Sequence, residues 1–142
     1  MTPMKWAMLA GLAGALVAAG TGCHRTPPDL APLQGPVALL VRNNAFLDVA
    51  VYALPSTDVD SRVRVATVTG NSESQVSVPL TSLRPGGVLV LYLHAIGSRF
   101  SWTSPAVLVD PESVMRLDIY ANPDGSLSRS TLYSAPRPVA VR

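Results

Sequence analysis

From Val37 onward, apolar residues recur at every second position along much of the chain. Val37, Leu39 and Val41 share one parity, as do Val49, Val51 and Ala53. Val63 and Val65 alternate with Arg62 and Arg64, and Val76, Val78 and Leu80 with Ser77 and Pro79. Met115, Leu117 and Ile119 alternate with Arg116, Asp118 and Tyr120. A two-residue period describes a strand with one face in a core and the other in water. No stretch beyond residue 36 keeps apolar residues at i, i+3, i+4 and i+7 for the length of a helix.

Two segments break the rhythm. Val88–Leu93 (VLVLYL) is apolar on both parities, which predicts a central strand covered on both faces. Val65–Val68 slips phase, which predicts a β-bulge near Ala66–Thr67. Between the runs stand turn formers: Asn43–Asn44, Pro55–Asp58, Gly70–Ser72 and Arg84–Gly87. Pro123–Asp124–Gly125 predicts a hairpin between Ile119 and Leu127. The pattern adds up to about seven or eight strands, an all-β chain folded as one antiparallel sandwich over residues 37–133. Ser126–Tyr133 carries the weakest strand pattern, and residues 134–142 read as a tail.

The first 36 residues follow other rules. Lys5 precedes an almost wholly apolar run, Trp6–Ala19. At about 14 residues this run suits the core of a signal peptide, whereas a membrane-spanning helix needs about 20. Residues 1–22 are therefore expected to direct export and be removed. Cys23, the chain's single cysteine, follows the small residues Ala18–Ala19–Gly20–Thr21–Gly22. This stretch resembles a bacterial lipoprotein signal, which implies cleavage between Gly22 and Cys23 and lipidation of Cys23. Gly20 departs from that pattern, which has an aliphatic residue there. Ordinary cleavage near Val17–Ala18–Ala19, giving a soluble secreted protein, is the alternative. Residues 23–36 include HRTPPDLAPLQGP, with four Pro and no apolar period, and read as a semi-extended tether. Packing of part of this tether along the domain is the other reading.

Composition narrows the function classes. Of 142 residues, 48% are hydrophobic and 14% charged, a balance opposite to that of disordered chains. Beyond the leader, ten Arg face nine acids and are scattered through the segments, which gives no electrostatic footprint for nucleic acid. One cysteine makes no internal disulfide.

The body also resembles small bacterial envelope proteins with Ig-like or transthyretin-like β-sandwiches. The resemblance is carried by VRNNAFLDVAVYAL (41–54), VATVTG (65–70) and HAIGSRF (94–100). It implies a fold and a location, and no activity comes with it.

Candidate chemistry is sparse. His94, the only histidine after the tether, has no nucleophile motif beside it, and neither G-x-S-x-G nor H-E-x-x-H occurs. Asp58 and Asp60 have the spacing of a loop Ca²⁺ pair but lack the rest of an EF-hand loop, while Asp110 and Glu112 flank Pro111 in a turn. Tyr52 and Tyr120 fall on the wet parity, and Arg99, Phe100 and Trp102 cluster in a loop. These five residues form the expected partner or ligand surface. The expectation is thus a non-catalytic, lipid-anchored envelope protein without cofactor or metal, held to a membrane and binding another envelope protein. A glycan- or metal-binding module is the alternative.

Overall fold

The computed structural model describes residues 32–137. Gly22, Cys23, the leader and most of the tether lie outside the described residues. Ten strands follow in order: β1 (Val37–Asn43), β2 (Val49–Ala53), β3 (Val63–Val68), β4 (Ser72–Val78), β5 (Val88–Leu89), β6 (Leu91–Ala95), β7 (Ser101–Thr103), β8 (Val107–Leu108), β9 (Ser113–Ile119) and β10 (Thr131–Pro136). Short 3₁₀ turns occupy Val59–Ser61 and Leu80–Ser82. None of the described helices is long and apolar enough to cross a membrane.

Eight strands form two four-stranded sheets, with order β10-β9-β1-β4 in sheet I and β3-β2-β6-β7 in sheet II. The remaining pair, β5 and β8, makes a two-stranded ribbon. The all-β sandwich is therefore as the two-residue period predicts. One pairing is parallel: β1 runs alongside β9, with Leu39 opposite Met115 and Val41 opposite Leu117.

Inward parities of both sheets meet in one core. Leu39 and Val41 of β1 and Met115, Leu117 and Ile119 of β9 join Val49, Val51, Leu91 and Leu93 from the facing sheet. Each fully buried Leu or Ile contributes about 1.5–3 kcal/mol relative to exposure. That contribution fixes the register, because a one-residue slip would turn every inward side chain to water.

Three expectations are corrected. The VLVLYL run is not one strand covered on both faces: it breaks at Val90, which is 3% exposed. Val90 accepts the Leu54 N–H at 2.9 Å, and the chain passes from the ribbon into sheet II. Leu89, Val90 and Leu91 are buried in succession because the alternation restarts across the break, leaving Tyr92 and His94 half-buried on the outer parity of β6. The bulge is real but displaced. Val51 pairs with Ala66 and Tyr52 with Arg64, so Val65 is the extra residue. The last strand starts later and ends later than its pattern suggests, since β10 pairs with β9 out to Pro136 opposite Ser113. Its hydrogen bonds carry it past the end of the apolar alternation.

The predicted hairpin joins β9 to β10 around Asn122–Ser126, where the Asn122 N–H donates to Ser126 O at 2.8 Å. Asp124 Oδ1 accepts the Ser126 N–H at 2.9 Å, and this bond holds the carboxyl below its usual range. A depressed folded value means the contribution is fully present above the unfolded value and lost as pH falls through the folded one. An NMR titration should place the Asp124 midpoint below that of an unstructured Asp. In Asp124→Asn the acid-dependent loosening of the turn amides should disappear.

Pro32–Pro36, the described part of the tether, lies against the domain. Leu33 packs on the core and, with Leu80, Leu83, Gly86, Gly87 and Val109, lines a hollow of about 330 Å³. Gly86 and Gly87 turn there with φ of 80° and 74°, a conformation that side chains disfavour. The packed alternative for the tether thus holds for residues 32–36.

Candidate binding surfaces

The topology divides the molecule into two ends. Asn43 ends β1 opposite Ser72 and Ile119, and Val49 begins β2 opposite Val68 and Ala95. The loops 44–48, 69–71, 96–100 and 120–130 therefore gather at one end. Pro32–Pro36 enters at the other, beside the start of β1.

The loop 44–48 is fixed from below by one side chain. Asn43 is 1% exposed. Its Nδ2 donates to Leu47 O at 2.9 Å and to Val68 O and Thr69 O, each at 3.2 Å. Its Oδ1 accepts the Ala45 N–H at 3.0 Å. Backbone bonds complete the clamp, from Asn44 N–H to Ile119 O and from Asn71 N–H to Ala45 O, both 2.9 Å. Asp48 Oδ1 takes the Gly70 N–H at 3.0 Å. Gly70 fits because it has no side chain: a Cβ there would stand 2.6 Å from the Phe46 carbonyl carbon and closer still to its oxygen. Asn71 follows in the left-handed region at φ 54°, which Asn tolerates better than most residues.

This clamp presents a bare aromatic ring. Phe46 is 90% exposed while its neighbour Ala45 is 1% exposed. Ile96 (43%) and Tyr120 (39%) are the other exposed apolar residues of the loops at this end. Beside them, Asn44 Nδ2 is buried without a hydrogen-bond partner among the described residues. The end carries Asp48, Arg99, Asp124 and Arg129, so its charges balance.

The residues expected to form one ligand surface do not come together. Trp102 lies opposite Leu93 and packs on the core, whereas Tyr52 lies opposite Tyr92 on the outer parity of sheet II. One ligand cannot touch both through the sheet. Phe100 turns toward the hairpin, where a Cβ on Gly125 would lie 3.0 Å from its ring, and the Arg99 guanidinium sits 5.7 Å from its centroid. Tyr120 belongs to the loop end near Phe46. His94 is half-buried opposite Ala50 and Ser101. Asp58 Oδ1 accepts the Asp60 N–H at 2.9 Å, and Asp110 Oδ1 accepts the Glu112 N–H at 3.0 Å, so each stabilises its own turn. Among the described residues no three His, Cys, Asp or Glu converge as a metal set.

The outer face of sheet I holds a groove of about 380 Å³ lined by Arg42, Glu73, Arg116, Asp118 and Tyr133. Its polar groups largely serve one another. Arg42 Nε meets Glu73 Oε1 at 3.2 Å, and Tyr133 donates to Asp118 Oδ2 at 3.0 Å. Burial, and then this bond, raise the Tyr133 phenol above its usual value. A surface whose groups are already partnered gains little from a ligand.

No known family model matches this chain. No curated protein matches it either. The Phe46 end was not legible as a site, because Ala45–Phe46–Leu47 reads as an ordinary apolar run. The adjacent Asn43–Asn44 pair was its only signal.

Proposed function

We propose that the protein is an exported, non-catalytic docking module, anchored through lipidated Cys23, whose loop end binds another envelope protein. The observation that carries this reading is Phe46, 90% exposed on a loop held by Asn43 and Gly70. A flexible aromatic loses freedom on binding, but this loop is ordered beforehand, so that cost is already met. Buried aromatics are characteristic anchors of protein interfaces. Position supports the same reading: Phe46 projects at the end opposite Pro32–Pro36, away from the expected membrane. Balanced charge and a single protruding ring favour an apolar protein pocket over a lipid surface, where binding scales with apolar area plus attraction to anionic headgroups.

Of the two sandwich types the chain resembles, strand order supports the transthyretin-like one. In the immunoglobulin arrangement the first strand neighbours the second within one sheet, whereas here β1 lies between β9 and β4.

A photo-crosslinking residue at position 46, in cells with the intact anchor, should yield one discrete adduct. The same probe at Gln75, on sheet I, should yield none. With the probe moved to position 96, Phe46→Ala should abolish the adduct while leaving the melting temperature within a degree or two, since the ring contributes little to the core. Equal labelling from 46 and 75, or no effect of Phe46→Ala, overturns the docking reading. Intact-mass analysis of the mature N-terminus tests the anchor. A chain starting before Cys23 without acyl mass excludes it.

A further inference from the structure

Sheet II presents an outer face unlike that of sheet I. Tyr52 and Tyr92 lie opposite each other on β2 and β6, with ring centroids 6.0 Å apart and planes tilted by 54°. The Arg62 guanidinium sits over both rings, 5.5 Å from one centroid and 5.7 Å from the other. Arg64 lies opposite Tyr52 and donates from Nη2 to Thr67 Oγ1. His94 and the hydroxyls of Ser101 and Thr103 extend the same parity across β6 and β7.

The four strands of this sheet contain no Asp or Glu. Among the described residues the only ion pair is Arg42–Glu73, on the other sheet, so neither Arg62 nor Arg64 is neutralised by a carboxylate there. The preceding turn carries two acids, Asp58 and Asp60: Asp58 accepts the Asp60 N–H, and among the described residues neither forms an ion pair with Arg62 or Arg64. Arg62 commits Nη1 to Val59 O at 3.3 Å, which leaves most of its five-donor fork toward solvent.

We propose that this face binds an acidic polysaccharide. Arg62, braced on Tyr52 and Tyr92, and Arg64 pair with its carboxylate or sulfate groups, while Thr67, Ser101 and Thr103 meet its hydroxyls. Guanidinium suits this task because its planar fork matches both acids bidentately and its stacking on the rings orders it beforehand. Two guanidiniums are too few for a membrane surface, where lipid-binding segments use clusters of about four to eight cations. A sheet face with two cations, one braced on aromatic rings, and flanking hydroxyls fits an extended sugar chain that bears acidic groups. The face is separate from the Phe46 end and does not depend on the docking reading.

The test uses the full mature chain with immobilised polygalacturonate, dextran sulfate and neutral dextran, and with phosphatidylglycerol vesicles as a fourth arm. Binding is expected to one or both acidic polymers and not to neutral dextran, and to weaken as salt rises. The preferred polymer identifies the acid. Arg62→Gln and Arg64→Gln should each weaken it roughly fivefold, and Tyr52→Ala with Tyr92→Ala should weaken it further by removing the platform under Arg62. Arg116→Gln, on sheet I, should leave binding unchanged. Circular dichroism confirms that each variant is folded. Equal binding of neutral dextran, no binding of either acidic polymer, equal loss from Arg116→Gln, or a vesicle affinity that Arg62→Gln lowers more than it lowers polymer binding overturns the proposal. Unchanged crosslinking from position 46 in Arg62→Gln separates this outcome from failure of the docking reading.

Discussion

Asn43→Ala should lower the unfolding free energy by about 3 kcal/mol in urea titrations, with an unchanged m-value. Asparagine in an exposed turn rarely matters this much, since substitutions away from special features stay within about ±0.5 kcal/mol. Asn43 differs because it is buried and ties the end of β1 to the loop 44–48 and to the end of β3. Removing its amide takes a donor from the carbonyls of Leu47, Val68 and Thr69 and the acceptor from the Ala45 N–H, and of these Thr69 O keeps the Ser72 hydroxyl at 2.7 Å. Each group left buried and unpaired costs about 1–3 kcal/mol, and water will reach some of them, which keeps the sum near the lower end. Asn43→Asp separates the donor role from the acceptor role. It keeps Oδ1 for Ala45 but turns a second oxygen toward three carbonyls, so it should destabilise at least as much as Ala. Hydrogen exchange at Ala45 gives the local readout, with faster exchange expected in Asn43→Ala. A loss below about 0.5 kcal/mol with unchanged exchange would show that the clamp does not hold the loop.

The sandwich was legible because burial on one face imposes a period of two, and that period survives in β1, β2 and β9 without knowledge of neighbours. What escaped the sequence depends on contacts distant along the chain. The parallel pairing of β1 with β9 joins segments more than seventy positions apart in register, and alternation within either strand carries no trace of its direction. The break at Val90 hid for a different reason. A chain passing between two sheets buries consecutive residues, and this looks the same as one strand buried on both faces. Trp102 shows the limit of composition. In Ser101–Trp102–Thr103 it alternates inward against Leu93, but beside Arg99 and Phe100 it suggested a binding loop. Tyr52 was rightly placed on the outer parity, and its partners there, Tyr92 of β6 and Arg62 at the end of the turn before β3, are brought to it only by the fold.

Gly70→Ala is expected to cost about 2–3 kcal/mol, although it adds one methyl group and restricts the unfolded chain. Position 70 has no positive φ, so the cost does not come from a forbidden conformation. It comes from the Phe46 carbonyl, whose carbon a Cβ would approach to 2.6 Å, well inside van der Waals contact. A flexible side chain in that place would swing aside. The carbonyl belongs to a backbone held on both sides, by Asn43 Nδ2 at Leu47 O and by the Asn71 N–H at Ala45 O. The strain therefore depends on the clamp, and the two substitutions should not be additive. Once Asn43→Ala has freed the loop, Gly70→Ala should cost at least 1 kcal/mol less than it does alone. Full additivity would mean that the loop yields independently of Asn43. Phe46 would then sit on a soft support, and the case for an anchor ordered before binding would lose its physical basis.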